Sequence, residues 1–416
     1  MGFSAISVKV DFNKIYKTQT RQVMTVLYYS PSNVVGGAEL SLLHTMQYMK
    51  TNGVRVVLVM PPAQDNSYYL MAQKAANKIY LVKGMNWISS KEIGIAKFRN
   101  WVYNAYKSGG WHITPVIKLA IIILHERVDL VHTNTSVCID GALAAKITGR
   151  HHVQHIREIT GVKEEALFKL KFQGTSFFRK LYAKLNSTIL CNSFYTLKQS
   201  EIDFPKEKLK VIYNTIKFQE ILPDPFPGGV MKVCTMANVT SKIKNHLLVL
   251  QVAKCLKDAG NEACFKFNLY GKLPVEGDLY LNSLRSFIKK NQLQTMVEFK
   301  GIETTADILN CNHVLFHTFS GESFGRVYIE AMSFGRPVIA VKGGGASELI
   351  ENGKDGYLVS EDNAEIIAQA FMKLANNSVE YNLLRQNGIS KSKSFLEENI
   401  FPELLKTYNL IIYKTL

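Results

Sequence analysis

Short β-branched runs alternate with helical patterns along this chain, and the alternation breaks once and then restarts. "VMTVLYY" (23–29) reads as a strand, "AELSLLHTMQYMKTNG" as a helix stopped at Gly53, and "VRVVLVM" (54–60) as the next strand. "KIYLVK", "VDLVHTN", "HHVQHIR" and "STILCNS" continue the series. Strand, helix and strand in succession build a parallel sheet with crossover helices. Continuously apolar strands belong to sheets covered on both faces. Residues 217–230, "KFQEILPDPFPGGV", hold three Pro and two Gly and mark a linker. Beyond it come "MKVCTMAN", a helix from about 244 to 259, "CFKFNLYG", a helix around 278–292, "MVEFKG", "HVLFHTF", a helix from 324 and "PVIAVK". The chain thus divides into an α/β unit at 1–216, the linker at 217–230 and a second α/β unit at 231–395. A last helical stretch, about 396–416, is expected to pack back on the first unit.

Composition narrows what such a chain does. Its 416 residues suffice for two or three cored domains, and 47% hydrophobic with 20% charged residues suits a globular protein. No apolar run reaches the roughly 18 residues that a membrane span needs. The nearest, "VIKLAIIILHE" (116–126), is broken by Lys118 and reads as a buried or interfacial helix. The first residues lack a compact apolar signal core, and Ile6 spoils the myristoylation pattern that Met1-Gly2 begins. The six cysteines (138, 191, 234, 255, 264, 311) form no C-x-x-C pair. That argues against a structural zinc site and a disulfide framework, and for a reducing, cytoplasmic compartment.

The net charge of +16 is uneven: residues 1–205 hold 25 Lys and Arg against 12 Asp and Glu, residues 206–416 hold 25 against 22. A basic half implies an anionic partner, either nucleic acid, a phosphate ligand or an acidic lipid surface. Two stretches mix basic and aromatic residues: "KFRNWVYNAYKSGGWH" (97–112) and "FKLKFQGTSFFRKLYAKLN" (168–186). Rings at headgroup depth beside Lys stems suit an anionic membrane surface, while a solvated face over an ordinary core explains them equally well. No nucleic-acid recognition motif is present, so nucleic acid is not expected as a partner.

Three glycine turns follow strands and open helices. Gly36-Gly37-Ala38-Glu39 presents bare amides at a helix N-terminus, where an anion approaches closely. It lacks the third Gly of the dinucleotide fingerprint. "ANVTSKIKNHLLVL" occupies the same place in the second unit, with Lys242 and Lys244 before the helix and Asn245 or Ser241 as its cap. Lysine at a helix N-terminus opposes the dipole unless a phosphate binds there. In "FHTFSGESFGRVYIEAMSFGRPVIAVKGGG", Glu322 lies in a loop whose amides at Ser323, Phe324 and Gly325 face an anion, and Glu330 sits in an apolar helix. An unpaired buried carboxylate is costly, and a sugar diol offers it two donors. Charge-assisted bonds of this kind contribute roughly 1.5–3 kcal/mol each. "KGGGASEL" is the third turn, with Glu348 early in its helix.

Here a resemblance enters. "GESFGRVYIEAMSFGRPVIAVKGGGASELIENGKDGYLV" resembles the donor-site signature of retaining GT-B glycosyltransferases of family 4, the glycosyl transferases group 1: Glu-x7-Glu, then a small-Gly-x-Pro-Val segment. "GGAE", "VIYNTI" (211–216), "NVTSKIKN" and "LYGK" (269–272) fall in the family's order over nearly the whole chain. The resemblance implies an α/β fold of two Rossmann-like domains, with parallel sheets facing across a cleft. The second domain would bind a nucleotide-sugar, UDP- or GDP-linked, and the first an acceptor. By the same likeness Glu330 binds ribose hydroxyls, Glu322 contacts the transferred sugar, and Phe324 and Gly325 amides lie near the sugar or phosphates. Lys244 steadies the diphosphate, and the Gly36-Gly37 loop approaches it from the other domain. Asn238 stands where many members carry Arg, a gap for which Lys242 compensates. Members often show a His near the transferred sugar, a role open here to His155 or Arg157.

No Asp-x-Asp pair stands ready to hold a metal-bound diphosphate, so neither metal nor other cofactor is expected, and Lys, amides and helix dipoles stabilise the leaving group. The activity implied is retaining sugar transfer to a glycan or polyprenyl-diphosphate-linked acceptor, at the cytosolic face of the cell membrane. Two other readings keep the fold: a non-catalytic GT-B subunit, which Asn238 favours, and a phosphorylase or nucleotide-sugar epimerase.

Overall fold

The computed structural model describes residues 23–62, 66–84, 113–160, 170, 173–218, 228–239, 242–360 and 363–413. The basic-aromatic stretch at 97–112, the middle of the linker and the candidate cap Ser241 lie outside them. Among the described residues the chain forms two sheets in which every recorded pairing is parallel. The first comprises β1 (Thr25–Tyr29), β2 (Arg55–Met60), β3 (Lys78–Leu81), β4 (Leu130–Thr133), β5 (His151–Ile156), β6 (Thr188–Cys191) and β7 (Leu209–Val211), in the order β3-β2-β1-β4-β5-β6-β7. The second comprises β8 (Met231–Met236), β9 (Phe265–Tyr270), β10 (Val297–Gly301), β11 (Val314–His317), β12 (Val338–Val341) and β13 (Tyr357–Val359), in the order β10-β9-β8-β11-β12-β13.

The two orders are the same doubly wound pattern. In each, the order reverses beside the first strand, between β1 and β4 and between β8 and β11. Crossover loops leave a crevice at such a point, at the carboxyl ends of the strands, and ligands bind there. Helices cover both faces, which is why β1, β4, β11 and β12 are buried at every residue. The short edge strands β7 and β13, three residues each, escape the sequence reading because they are too brief to show a period.

Helix ends fall close to expectation, at His246–Asp258, Leu279–Lys290 and Arg326–Ser333. One cap differs. Asn245 occupies the cap position with φ +47°, in the left-handed region, and its side chain makes no capping bond.

The chain crosses between domains twice, and the crossings lie side by side. Ile216 pairs with Leu396 in an isolated parallel bridge, and the Ile216 amide donates to Phe395 O at 3.0 Å. Past the second crossing, the helix Glu397–Tyr413 lies on the first domain. Phe401, Leu404 and Tyr408 enter a core with Met24, Leu42 and Met46. Lys210 Nζ meets Glu403 Oε1 at 2.6 Å and His44 meets Glu397 at 3.1 Å along its flank. Leu404 is fully buried there. Leu404→Ala should therefore weaken the first domain by about 2–5 kcal/mol although the residue comes from the end of the chain. Urea unfolding followed by the fluorescence of probes in each domain would show the first transition moving and the second holding.

Candidate active site

Loops from both switch points meet in one crevice. From the second domain come the turn Lys242–Lys244 after β8, Thr318–Gly325 after β11 and Gly343–Gly345 after β12. From the first come Ser30–Gly37 after β1, Asn134–Ser136 after β4 and Arg157 after β5.

Glu322 is half-buried and ion-paired with Lys244. His317, the last residue of β11, brings Nε2 within 3.4 Å of the same carboxylate. Tyr328 Oη lies 3.1 Å from His317 Nδ1 and the Phe319 amide donates to it, so Nδ1 accepts and Nε2 carries the proton toward Glu322. Burial alone would raise the Glu322 carboxyl; the His317 hydrogen bond and the Lys244 charge outweigh it and bring the pKa down to about 2. Lys244 also lies 4.4 Å from the Phe319 ring centroid, and Thr318 Oγ1 donates to Lys244 O at 2.7 Å, tying the two loops together. Lys242 is exposed at the start of the same turn. Neither His317 nor its tautomer was legible beforehand: a lone His at a strand end has no sequence signature.

Glu330 corrects the picture of an unpaired carboxylate. Arg326, one turn earlier, donates to Glu330 Oε1 through Nε at 2.8 Å and Nη2 at 2.5 Å. Neither bond uses Oε2. The i, i+4 spacing was visible in the sequence inside the helix read from 324, but the pairing of Arg326 with Glu330 was not drawn from it. Both residues line a cavity of about 230 Å³ with Thr305, Ser333 and, across the crevice, His44 and Lys217.

The loop between the two glutamates splits its tasks. Gly325 takes φ +82° at the helix start, and a Cβ there would strike the Tyr328 ring at 2.1 Å. Among the described residues no acceptor takes the amides of Ser323, Phe324 and Gly325. The Phe324 side chain is buried against Tyr213 and Phe395. The rest of Ser323 faces the first domain: its hydroxyl donates to Arg157 O at 2.7 Å, and its carbonyl accepts from Ser193 Oγ at 2.5 Å and Thr196 Oγ1 at 3.1 Å.

Asn238 is exposed, and its Oδ1 accepts the Lys272 amide at 2.8 Å, bracing the turn after β9. In the first domain, Gly36 is the extended N-cap of the helix Gly37–Thr51. A Cβ on Gly37 would meet no atom within 4 Å, so packing does not demand glycine there.

His155 and Arg157 part company. His155 lies inside β5 with its ring in the core; Nδ1 is 3.2 Å from His132 Nε2, whose Nδ1 meets Tyr408 Oη at 2.5 Å. Burial pushes His155 and His132 well below the usual imidazole range, and Arg157 adds to this. Among the described residues His155 Nε2 has no hydrogen-bond partner, and it lines, together with Arg157, a small cavity of about 10 Å³, room for one water. The structure thus places His155 as a core residue rather than at the crevice. Arg157 lies just past the strand end, with Nε on Asn134 Oδ1 at 2.7 Å and Nη1 on Asn214 Oδ1 at 2.5 Å. Burial lowers its pKa to about 10, against the raising effect of Glu158 and Glu39, so the guanidinium stays charged. Glu158 accepts from Thr135 and Ser136 side chains at 2.6 and 2.7 Å and sets the β4 loop. Glu39 is half-buried nearby, its carboxyl raised by burial.

Among the described residues no three His, Cys, Asp or Glu side chains gather as a metal-holding cluster, and no helix is long and apolar enough to cross a membrane.

Known proteins share this architecture. Residues 231–377 match the family described as glycosyl transferases group 1, and residues 35–220 match glycosyltransferase family 4. An uncharacterised glycosyltransferase of Methanocaldococcus jannaschii is 28% identical over 319 residues, 76% of this chain and 82% of that protein. The putative colanic acid biosynthesis glycosyltransferase WcaL of Escherichia coli is 25% identical over 206 residues, 47% of this chain and 49% of its own length. The crystal structure of Anabaena HepE in complex with UDP and glucose superimposes with a TM-score of 0.72 at 21% identity, covering 92% of this chain and 99% of that one.

The lowered Glu322 pKa has a pH signature. A carboxyl depressed by folding adds stability above its unfolded pKa, and the addition fades as pH falls through the window from about 4.5 to 2. The difference in thermal midpoint between wild type and Glu322→Gln should stay constant above about pH 5 and narrow toward about pH 3. A difference flat across that range would show that Glu322 is not held by Lys244 and His317.

Proposed function

The chain is a GT-B glycosyltransferase whose two domains belong to glycosyltransferase family 4 and to the glycosyl transferases group 1, and from that premise we propose that it moves a sugar from a nucleotide-sugar, UDP- or GDP-linked, with retention and without a metal. The observation that carries this is one loop and the helix it opens: Glu322 paired with Lys244, Glu330 beside a cavity two turns on, and between them the amides of Ser323, Phe324 and Gly325, which meet no acceptor among the described residues. UDP and glucose occupy the HepE structure of the same fold, which supports a nucleotide-sugar here.

On this reading Glu330 Oε2 takes the ribose diol while Arg326 holds Oε1. The amides of Ser323, Phe324 and Gly325 face the phosphates or the sugar, and the Gly36-Gly37 turn approaches from the opposite domain. Lys244 exchanges Glu322 for the diphosphate and neutralises the leaving group, with Lys242 beside it. Asn238 contributes by bracing the Lys272 turn rather than by charge. Glu322, released, contacts the transferred sugar. Arg157, not His155, is the first-domain residue that reaches the reacting region. The anomeric bond to phosphate breaks, the acceptor hydroxyl adds to the same face, and its proton leaves with the departing diphosphate. Lys244 and the amides act by electrostatic preorganisation.

The acceptor is read as a lipid-linked or polysaccharide glycan at a cytosolic membrane face. Supporting this are the basic first half and exposed apolar side chains beside cations. Ile117, Ile121 and Leu124 are exposed on the helix Thr114–His125, and Phe177 on the helix Ser176–Leu185 with Arg179, Lys180 and Lys184.

The test is release of nucleoside diphosphate from a panel of UDP-, GDP- and ADP-sugars, with and without a polyprenyl-diphosphate-linked acceptor and with a chelator. One donor should turn over, unaffected by chelation. Silence across the panel favours a non-catalytic subunit, and conversion of donor without acceptor favours an epimerase. Lys244→Ala should lower kcat by about 10²–10³. Glu330→Ala should weaken donor binding by about 10- to 100-fold, equivalent to roughly 1.5–3 kcal/mol. Co-sedimentation with anionic vesicles at low salt should be strong and fall with added salt; no binding to them would remove the membrane from the reading.

A further inference from the structure

We propose that Glu348 is a positioning residue: from the second domain it grips the first, and through the glycine turn behind it sets the placement of Glu322. This rests on the reading of Glu322 as a sugar-contacting group.

Three donors converge on the Glu348 carboxylate, all from the first domain. The amides of Phe194 and Tyr195 donate to Oε1 at 3.0 Å and Oε2 at 2.8 Å, and Tyr213 Oη donates to Oε1 at 2.7 Å. The two amides stand at the first turn of the helix Phe194–Ser200, so one carboxylate caps a helix end in the opposite domain. Charge-assisted bonds with this geometry are directional, and they fix the carboxylate in three dimensions.

What Glu348 holds is continuous with the Glu322 loop. Its helix, Gly344–Leu349, begins in the turn that runs along that loop. The Gly345 amide donates to Glu322 O at 2.7 Å. A Cβ on Gly344 would lie 2.4 Å from Glu322 O, and one on Gly345 2.1 Å from Phe324 O. Backbone is thus packed on backbone with no side chain between to absorb a shift. On the far side of the loop Ser323 bonds to Arg157 O, Ser193 and Thr196. The Glu322 loop is clamped between these two contacts, and both end on the stretch 192–196 that follows β6 or beside it.

Glu348 touches neither the Glu330 cavity nor Lys244. Its loss should therefore leave nucleotide binding largely intact and misplace Glu322, and misplacement by about 1 Å costs on the order of 10²-fold in turnover. The test compares wild type, Glu348→Gln, Glu348→Ala and Tyr213→Phe in the full chain. The UDP or GDP Kd is measured by calorimetry, kcat and KM with the donor identified by the panel, and the radius of gyration by small-angle X-ray scattering. Expected are a nucleotide Kd within about threefold of wild type, a fall in kcat of about 10- to 100-fold for Glu348→Ala with a smaller fall for Glu348→Gln, and a larger radius of gyration. A kcat within twofold of wild type for Glu348→Ala overturns the proposal. So does a Kd that weakens in step with kcat, since that makes Glu348 a support of the nucleotide pocket. Glu322→Gln run beside these separates the two ideas: full activity there sinks the reading of Glu322, whereas an inactive Glu322→Gln with an active Glu348→Ala sinks only the positioning role. If no donor turns over, an unchanged radius of gyration still overturns it.

Discussion

The site exists as one body because Ser323 is bonded almost entirely to the other domain. Its carbonyl takes Ser193 and Thr196, its hydroxyl donates to the Arg157 carbonyl, and Asn192 Nδ2 approaches that hydroxyl at 3.3 Å. Polar groups withdrawn from water must find partners, and here a loop leaving β11 finds them at the ends of β5 and β6. The residue before it is Glu322 and the one whose carbonyl it holds is Arg157. Domain arrangement and site geometry are thereby the same variable.

Charge in the crevice is arranged on the same principle. Glu322 has Lys244 and His317, Glu330 has Arg326, and Arg157 sits between two asparagine oxygens. Each charge is paired within the protein at little exposure, which offsets the desolvation that an isolated carboxylate or guanidinium would suffer. It also sets the exchange that an anionic ligand makes. On the proposed reading, a diphosphate arriving at Lys244 would replace one anion with another, so the lysine would keep a counter-charge while Glu322 is released. Among the described residues the amides of Ser323 to Gly325 meet no acceptor.

The α/β architecture was legible because parallel strands covered on both faces write continuous apolar runs, and because the break at 217–230 separates two such series. What stayed hidden follows from the same physics. Edge strands of three residues, such as Leu209–Val211 and Tyr357–Val359, have no room for a period. The choice between His155 and Arg157 depends on where β5 stops, and β5 is buried on both faces, so alternation gives no mark. The strand ends at Ile156; one residue earlier is core and one later is crevice. The Arg326–Glu330 pair was present as an i, i+4 spacing and was obscured by attention to the apolar "VYIEAM". The Lys244–Glu322 pair joins residues 78 positions apart, which only the meeting of two strand ends brings together.

The two interdomain contacts differ in kind from the cores they connect. Each domain buries its own apolar clusters, and the tail helix Glu397–Tyr413 belongs wholly to the first through Phe401, Leu404 and Tyr408. The crossings at Ile216 and Leu396 lie side by side, so they form a line about which the domains can turn without parting. Across the crevice from that line, the closed arrangement is held largely by hydrogen bonds at Ser323 and Glu348. Such bonds exchange with water for a net cost of roughly 0.5–1.5 kcal/mol each, more where one partner is charged. Tyr213 of the first domain also packs on Phe324 and Phe395 at that edge, so parting the domains there breaks these bonds and uncovers part of the apolar cluster around Phe324.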